Sequence, residues 1–212
     1  MIVAVDGPSA SGKGTLARRL ALALAFAYLD TGQIYRAVAS RVLAAGHNPA
    51  DSAAALKAAQ SISADDLTRP DLRTERVSQA ASIVAAIPTV REALLGFQRD
   101  FAEHPPGGAA GAVLDGRDIG TVVCPEAKAK LFITATPEIR ARRRHEELIG
   151  RGADSIYARV LEDMMERDQR DASRKVAPSR PAPDALVLDT STLGANEVFE
   201  KALAFVKERC GL

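Results

Sequence analysis

The sequence predicts an α/β fold on a five-stranded parallel sheet, and three observations predict it. Short apolar runs alternate with longer helical stretches along most of the chain. Those runs are apolar at consecutive positions, as in strands buried on both faces. Four of the five stop at an aspartate, at the carboxyl ends of strands where open parallel sheets take their ligands.

The first run, 2–5, ends at Asp6-Gly7-Pro8 and is followed by a helical pattern over 14–25 with Leu16, Leu20 and Leu24 on one face. The second, 26–29, ends at Asp30-Thr31-Gly32 and leads into a helix over 33–45 carrying Ile34, Ala37, Val38 and Val42. A polar stretch, 46–73, then interrupts the alternation, with Pro49 and Pro70 and little strand character. The helix expected over 89–101 carries Val90, Leu94, Phe97 and Phe101. The third run, 112–114, stops at Asp115-Gly116-Arg117, and the fourth, 131–133, stops near Thr136-Pro137, where the proline opens a helix over 137–149. A helix over 154–168, a last strand over 186–188 ending at Asp189, and a helix over 195–209 complete the pattern. Residues 140–180 are dense in charge, with eleven basic against eight acidic residues.

Composition narrows the function. The chain has 212 residues, 47% of them hydrophobic and 26% charged, which fits one folded domain and excludes wholesale disorder. Twenty-eight basic against 27 acidic residues leave a net charge of +1, so no bulk basicity points to nucleic acid. Aromatic residues are 4% and tryptophan is absent, which argues against a base-stacking platform. The longest apolar run, 20–29, falls short of the roughly 20 residues a membrane helix needs. No basic, apolar leader opens the chain. Cys124 and Cys210 read as free thiols of a reducing compartment, so a cytoplasmic setting is expected.

Gly7-Pro8-Ser9-Ala10-Ser11-Gly12-Lys13-Gly14-Thr15 lies between the first strand and the first helix. Phosphates need several N–H donors converging on one concavity. Glycines let the backbone approach closely, the helix N-terminus adds positive potential, and Lys13 adds a full charge for the β- and γ-phosphates. Common phosphate loops place Ser or Thr directly after the lysine to hold Mg²⁺. Here Gly14 stands there and Thr15 follows, so the metal is expected to be held by nucleotide phosphates and water. The Gly-Lys-Gly-Thr form resembles that of nucleoside-monophosphate kinases. No Asn-Lys-x-Asp guanine reader is present, which argues against a GTPase.

Three further stretches follow strand ends or the charged segment: 29–36 (Leu-Asp-Thr-Gly-Gln-Ile-Tyr-Arg), 115–121 (Asp-Gly-Arg-Asp-Ile-Gly-Thr) and 166–174 (Glu-Arg-Asp-Gln-Arg-Asp-Ala-Ser-Arg). With the phosphate loop they resemble the bacterial cytidylate kinases over nearly the whole chain. The resemblance implies a P-loop NTPase three-layer sandwich forming a single kinase domain over 1–212. It also implies an acceptor-binding part over 33–111 and a helical lid over 140–175. It implies ATP as phosphoryl donor with Mg²⁺, CMP or dCMP as acceptor, a monomer, and no nucleic-acid or membrane partner.

Carried over residue by residue, Lys13, Arg117, Arg167 and Arg174 are the catalytic cations. Thr31, Arg36 and Arg117 meet the acceptor phosphate; Ser82, Arg91 and Asp118 read the cytosine. Arg167 and Asp171 lie near sugar and phosphate, and Arg174 is a further acceptor-site arginine. The residue types agree with this chemistry, because two polyanions must be brought together and arginine forks suit phosphate oxygens. Asp115 reads either as a carboxylate holding Mg²⁺ through water or as a turn cap. Arg142-Arg143-Arg144 reads either as a solvated helix face or as a source of a lid cation. The segment 61–74 is shorter than the β-containing insert of bacterial members, so the acceptor part looks reduced. The alternatives are a phosphate-loop kinase for UMP, AMP or a coenzyme precursor, and a non-catalytic nucleotide-binding homologue.

Overall fold

The computed structural model describes every residue of the chain except Ala64. Five strands, β1 (Ile2–Asp6), β2 (Ala27–Asp30), β3 (Ala112–Gly116), β4 (Ala129–Thr134) and β5 (Leu186–Asp189), form one sheet in the order β2-β3-β1-β4-β5. β1 sits in the middle, paired in parallel with β3 (Val3 opposite Val113) and with β4 (Val3 opposite Ala129), and β4 pairs in parallel with β5. The expected parallel sheet is therefore present, and its strand ends bring Asp6, Asp115 and Gly116 to one edge.

The backbone divides into two compact units, Met1–Leu29 with Ala102–Leu212, and Asp30–Phe101. In the first, helices α1 (Lys13–Leu24) and, at the end of the chain, α8 (Ala195–Cys210) share a core with Val3, Val5, Val113, Leu131 and Ile133 of the sheet. Leu16, Leu20, Val198 and Val206 project into it from the two helices. Ala4 and Leu114, outside that cluster, are equally buried, so both faces of the central strands are covered. This explains the consecutive apolar residues of each run.

The second unit is helical: α2 (Thr31–Ala44), α3 (Ser52–Gln60), α4 (Glu75–Val84) and most of α5 (Pro88–Glu103), with single 3₁₀ turns at Asp65–Thr68 and Pro70–Arg73. Among the described residues of 31–101 there is no strand. The polar stretch 46–73, read as an interruption with little strand character, contains α3, capped by Asp51, whose carboxylate accepts from the N–H groups of Ala53 and Ala54. α4 was not read from the sequence either. Its buried face is Val77, Ala80, Ala81 and Val84, too small in side chain to give a strong pattern. The reading of 61–74 as strand-free holds for the described residues; Ala64 lies outside them.

α6 (Pro137–Gly150) and α7 (Tyr157–Ala172) pair in the charged segment around Ala141, Leu148, Val160 and Met164. α7 begins later and ends later than expected, so Asp171 is helical while Arg174 lies beyond the helix end. Thr136 caps α6 by accepting from the Ile139 N–H, with Pro137 at the first helical position as anticipated. No single helix among the described residues is long and apolar enough to cross a membrane. Cys124 and Cys210 are thiols rather than halves of a disulfide.

Candidate active site

The loop between β1 and α1 is shaped by positions that tolerate no side chain. A Cβ on Gly7, whose φ is +145°, would lie 2.0 Å from the Ile133 carbonyl oxygen. Only glycine lets the loop start so close to β4. Ala10 also has positive φ, 57°, a conformation that costs a non-glycine residue and persists where the surroundings hold it. Lys13 opens α1 and folds its ammonium back over the loop, donating to the Pro8 carbonyl at 3.3 Å. Asp115, from the end of β3, stands 3.9 Å from that ammonium.

The glycine that departs from the common phosphate-loop pattern has a physical reason. A Cβ on Gly14 would sit 2.9 Å from Asp115 Oδ2. A serine or threonine there would require that carboxylate to shift. Tyr28 donates its hydroxyl to the same oxygen at 3.2 Å and holds it in place.

Asp6, at the end of β1, is a carboxylate the sequence reading left without a role. Its two oxygens accept at 2.8 Å from the N–H groups of Ile119 and Gly120. These N–H groups begin a single π-helical turn, Ile119–Val123, directly after Arg117-Asp118. Such turns are rare and favour functional sites. Burial pushes the Asp6 carboxyl up to about 7, against the two N–H donors, with the charges of Asp118 and Asp115 adding to the rise. Asp118 is buried at the head of this turn, and its carbonyl accepts from the Val122 and Val123 N–H groups.

The structure brings together three of the four expected catalytic cations. Asp171, 3% exposed, is met by Arg117 Nε at 3.3 Å, by Arg167 Nε at 3.9 Å and by a guanidinium nitrogen of Arg174. Arg174 reaches it from beyond the helix end. Three guanidinium groups gathered at one buried carboxylate suit an anionic ligand.

In the second unit, Thr31 is the buried first residue of α2 and Asp30 its cap, accepting from the Gln33 N–H at 3.1 Å. Arg36, one turn on, donates to the other Asp30 oxygen at 2.7 Å. Ser82 is buried in α4. Arg91, 7% exposed, donates to the Ala85 carbonyl at 3.3 Å and lies 5.7 Å from the centre of the Tyr35 ring.

Of the three consecutive arginines, Arg143 donates to the Thr190 hydroxyl and carbonyl at 2.9 and 2.6 Å, and Arg144 pairs with Glu147 at 2.9 Å. Sequence reasoning missed three residues that bear on the loop: Asp6, Arg140 and Thr190. Thr190 donates its hydroxyl to the Ser11 carbonyl at 2.9 Å. Asp6 had a signal, since it ends a strand just before the loop. The other two had none, because their partners are 131 and 179 residues away.

A family model described as cytidylate kinase matches residues 3–208. The chain is 61% identical over 205 residues to a protein of Paramagnetospirillum magneticum named cytidylate kinase, covering 97% of each chain. It is 58% identical over 203 residues to one of the same name from Rhodospirillum rubrum, covering 96% of this chain and 95% of the other. Among solved structures, it resembles an uncharacterized protein from Eubacterium ventriosum with a TM-score of 0.56 at 12% identity, covering 98% of both chains. It also resembles a gluconokinase from Sinorhizobium meliloti with a TM-score of 0.50 at 16% identity, covering 98% of this chain and 91% of that one. These last two likenesses concern the fold, the P-loop α/β sandwich. With the phosphate loop, the Gly-Arg-Asp turn and the arginine cluster in place, the near full-length match shows that the chain belongs to the cytidylate kinase family.

Proposed function

We propose that the protein transfers the γ-phosphoryl group of ATP to CMP or dCMP, giving ADP and CDP or dCDP. The single observation that carries this reading is the convergence of Arg117, Arg167 and Arg174 on one buried carboxylate, in the unit that also holds the phosphate loop. An oxygen of the acceptor monophosphate attacks the γ-phosphorus, the bond to the β,γ-bridging oxygen breaks, and its electron pair leaves with ADP. The attacking oxygen is already ionised, since a monophosphate has a second pKa of about 6, so no general base is needed. Catalysis then consists of positioning and charge neutralisation.

The loop from Gly7 to Thr15 holds the donor phosphates through its N–H groups, and Lys13 neutralises charge as it moves toward the bridging oxygen. Arg117, Arg167 and Arg174 neutralise the acceptor and transferring phosphates, with Asp171 keeping their guanidinium groups apart and oriented. In the second unit Thr31 and Arg36 take the acceptor phosphate, and Ser82 and Arg91 the cytosine. Asp118 accepts from the cytosine amino group, which uracil lacks.

The residues fit a magnesium ion carried by the nucleotide rather than a built metal cage. Among the described residues no cluster of three or more His, Cys, Asp or Glu side chains is placed to hold a metal. Asp115, beside Lys13, is the carboxylate that would hold it through water. Bound with ATP, such an ion would supply positive charge that offsets the negative charge of the phosphates. The acceptor part over 33–111, the lid over 140–175 and action as a cytoplasmic monomer belong to the same proposal.

The test is ADP formation from ATP with CMP, dCMP, UMP and AMP side by side. Turnover with CMP and dCMP well above that with UMP and AMP is the expected result. Equal or greater turnover with AMP or UMP would reject the assignment, and none with any acceptor would favour a binding protein.

A further inference from the structure

Arg140 is among the most buried charges in the chain, at 4% exposure, and its guanidinium reaches three elements at once. Nε donates to the Ala135 carbonyl at 2.9 Å, just past the end of β4. One terminal nitrogen donates to the Ser9 carbonyl in the phosphate loop at 3.4 Å. The other pairs with Asp168 of α7 at 2.6 Å. Asp168 is one helical turn before Asp171, the carboxylate that gathers Arg117, Arg167 and Arg174. Ala10, next to Ser9 and held at positive φ, packs against the apolar cluster between α6 and α7. Two adjacent residues of the phosphate loop are thus tied to the pair of lid helices, one by charge and one by packing.

A planar fork with several fixed donors can hold these three partners simultaneously. A lysine ammonium, a point charge on a flexible stem, cannot.

We propose that Arg140 is a positioning residue for phosphoryl transfer: with Asp168 it couples occupancy of the phosphate loop to the placement of the arginine cluster on α7. ATP in the loop fixes Ser9, Ser9 fixes Arg140, and Arg140 sets the register of α7 through Asp168. The inference rests on the kinase reading above, but its first test needs only the donor nucleotide.

Hydrogen exchange is followed over 7–20 and 157–172 with and without a non-hydrolysable ATP analogue, in the wild type, Asp168→Asn and Arg140→Lys. Asp168→Asn keeps the size and shape of the side chain, and cooperative melting of each variant checks that the fold is retained. In the wild type the analogue slows exchange in both segments. In both variants it still slows 7–20 but leaves 157–172 at the unliganded rate. Equal protection of 157–172 in wild type and variants, or none in the wild type, would overturn the coupling.

Initial rates with ATP and CMP give the second arm. Each single variant lowers kcat/KM about 10-fold, and the double variant is no worse than the weaker single, as expected of residues acting through one contact. Additive losses would also overturn it. A chain inactive toward every acceptor yet showing the ATP-dependent protection of 157–172 would break the acceptor assignment and leave this inference standing.

Discussion

The two units differ in how many long-range contacts hold their functional side chains. In the unit with the phosphate loop, local contacts such as Lys13 to Pro8 and Arg167 to Asp171 are locked by contacts between residues far apart in the chain: Arg117 to Asp171 across 54 residues, Asp6 to Gly120 across 114, Arg140 to Ser9 across 131 and Thr190 to Ser11 across 179. In the unit from Asp30 to Phe101, Arg36 donates to Asp30 and Arg91 to the Ala85 carbonyl, each six residues away, and Arg91 also lies over the Tyr35 ring. Other longer ties, such as Ser40 to Asp71 and Gln33 to Leu67, brace helices and turns. The difference teaches where damage should spread. A change in the first unit disturbs a closed network, so it should alter the transfer step itself. A change in the second should stay local and alter one substrate's affinity.

The largest expected effect tests the first half of that contrast. Lys13→Ala keeps the glycine frame of the loop and removes its charge. Turnover should fall about 10²–10³-fold or more, as when one preorganised donor to a transition state is lost. CMP affinity should change little. Near wild-type turnover by steady-state assay would remove the loop from the chemistry.

Asp118 sharpens the contrast, because it lies in the networked unit yet is assigned to base reading. Losing the partner of a buried polar group costs about 1–3 kcal/mol, so Asp118→Ala should lower the CMP to UMP ratio of kcat/KM by about 10- to 100-fold. If Asp118 merely supports Arg117, both acceptors suffer alike and the ratio stays fixed.

The arginine cluster was legible as residue types, since Arg167, Asp171 and Arg174 stood at helical spacing, but not as geometry. α7 ends at Ala172, and Arg174 joins the cluster from outside the helix. The sheet was legible because central parallel strands leave consecutive apolar residues and functional aspartates at their ends. α3 and α4 were not, because alanine packing lets helices approach closely without large apolar side chains to mark a face. Arg140 and Thr190 were invisible for a different reason. A guanidinium that braces a loop through backbone carbonyls puts no constraint on neighbouring sequence, so no motif records it.

The smallest effect is one of pH. Asp6 has its folded-state pKa pushed up to about 7 from 3.8, mainly by burial. The protonated carboxyl is therefore favoured by the folded state. Its contribution to stability is fully present below pH 3.8 and is lost as the pH rises through about 7. Asp6→Asn removes this titration. Between these two limits the mutant's stability should vary less with pH than the wild type's, by denaturant unfolding at several pH values. Parallel pH profiles would mean that Asp6 is not the titrating group.

The division of labour itself is tested most directly by calorimetric titration of Arg36→Ala with CMP and, separately, with a non-hydrolysable ATP analogue. Arg36 donates to its own helix cap, so its loss should weaken CMP binding about 10-fold, the scale of a charged hydrogen bond, and leave the ATP analogue's affinity unchanged. Equal weakening of both nucleotides, or unchanged CMP affinity, would contradict a local acceptor unit set against a networked transfer unit.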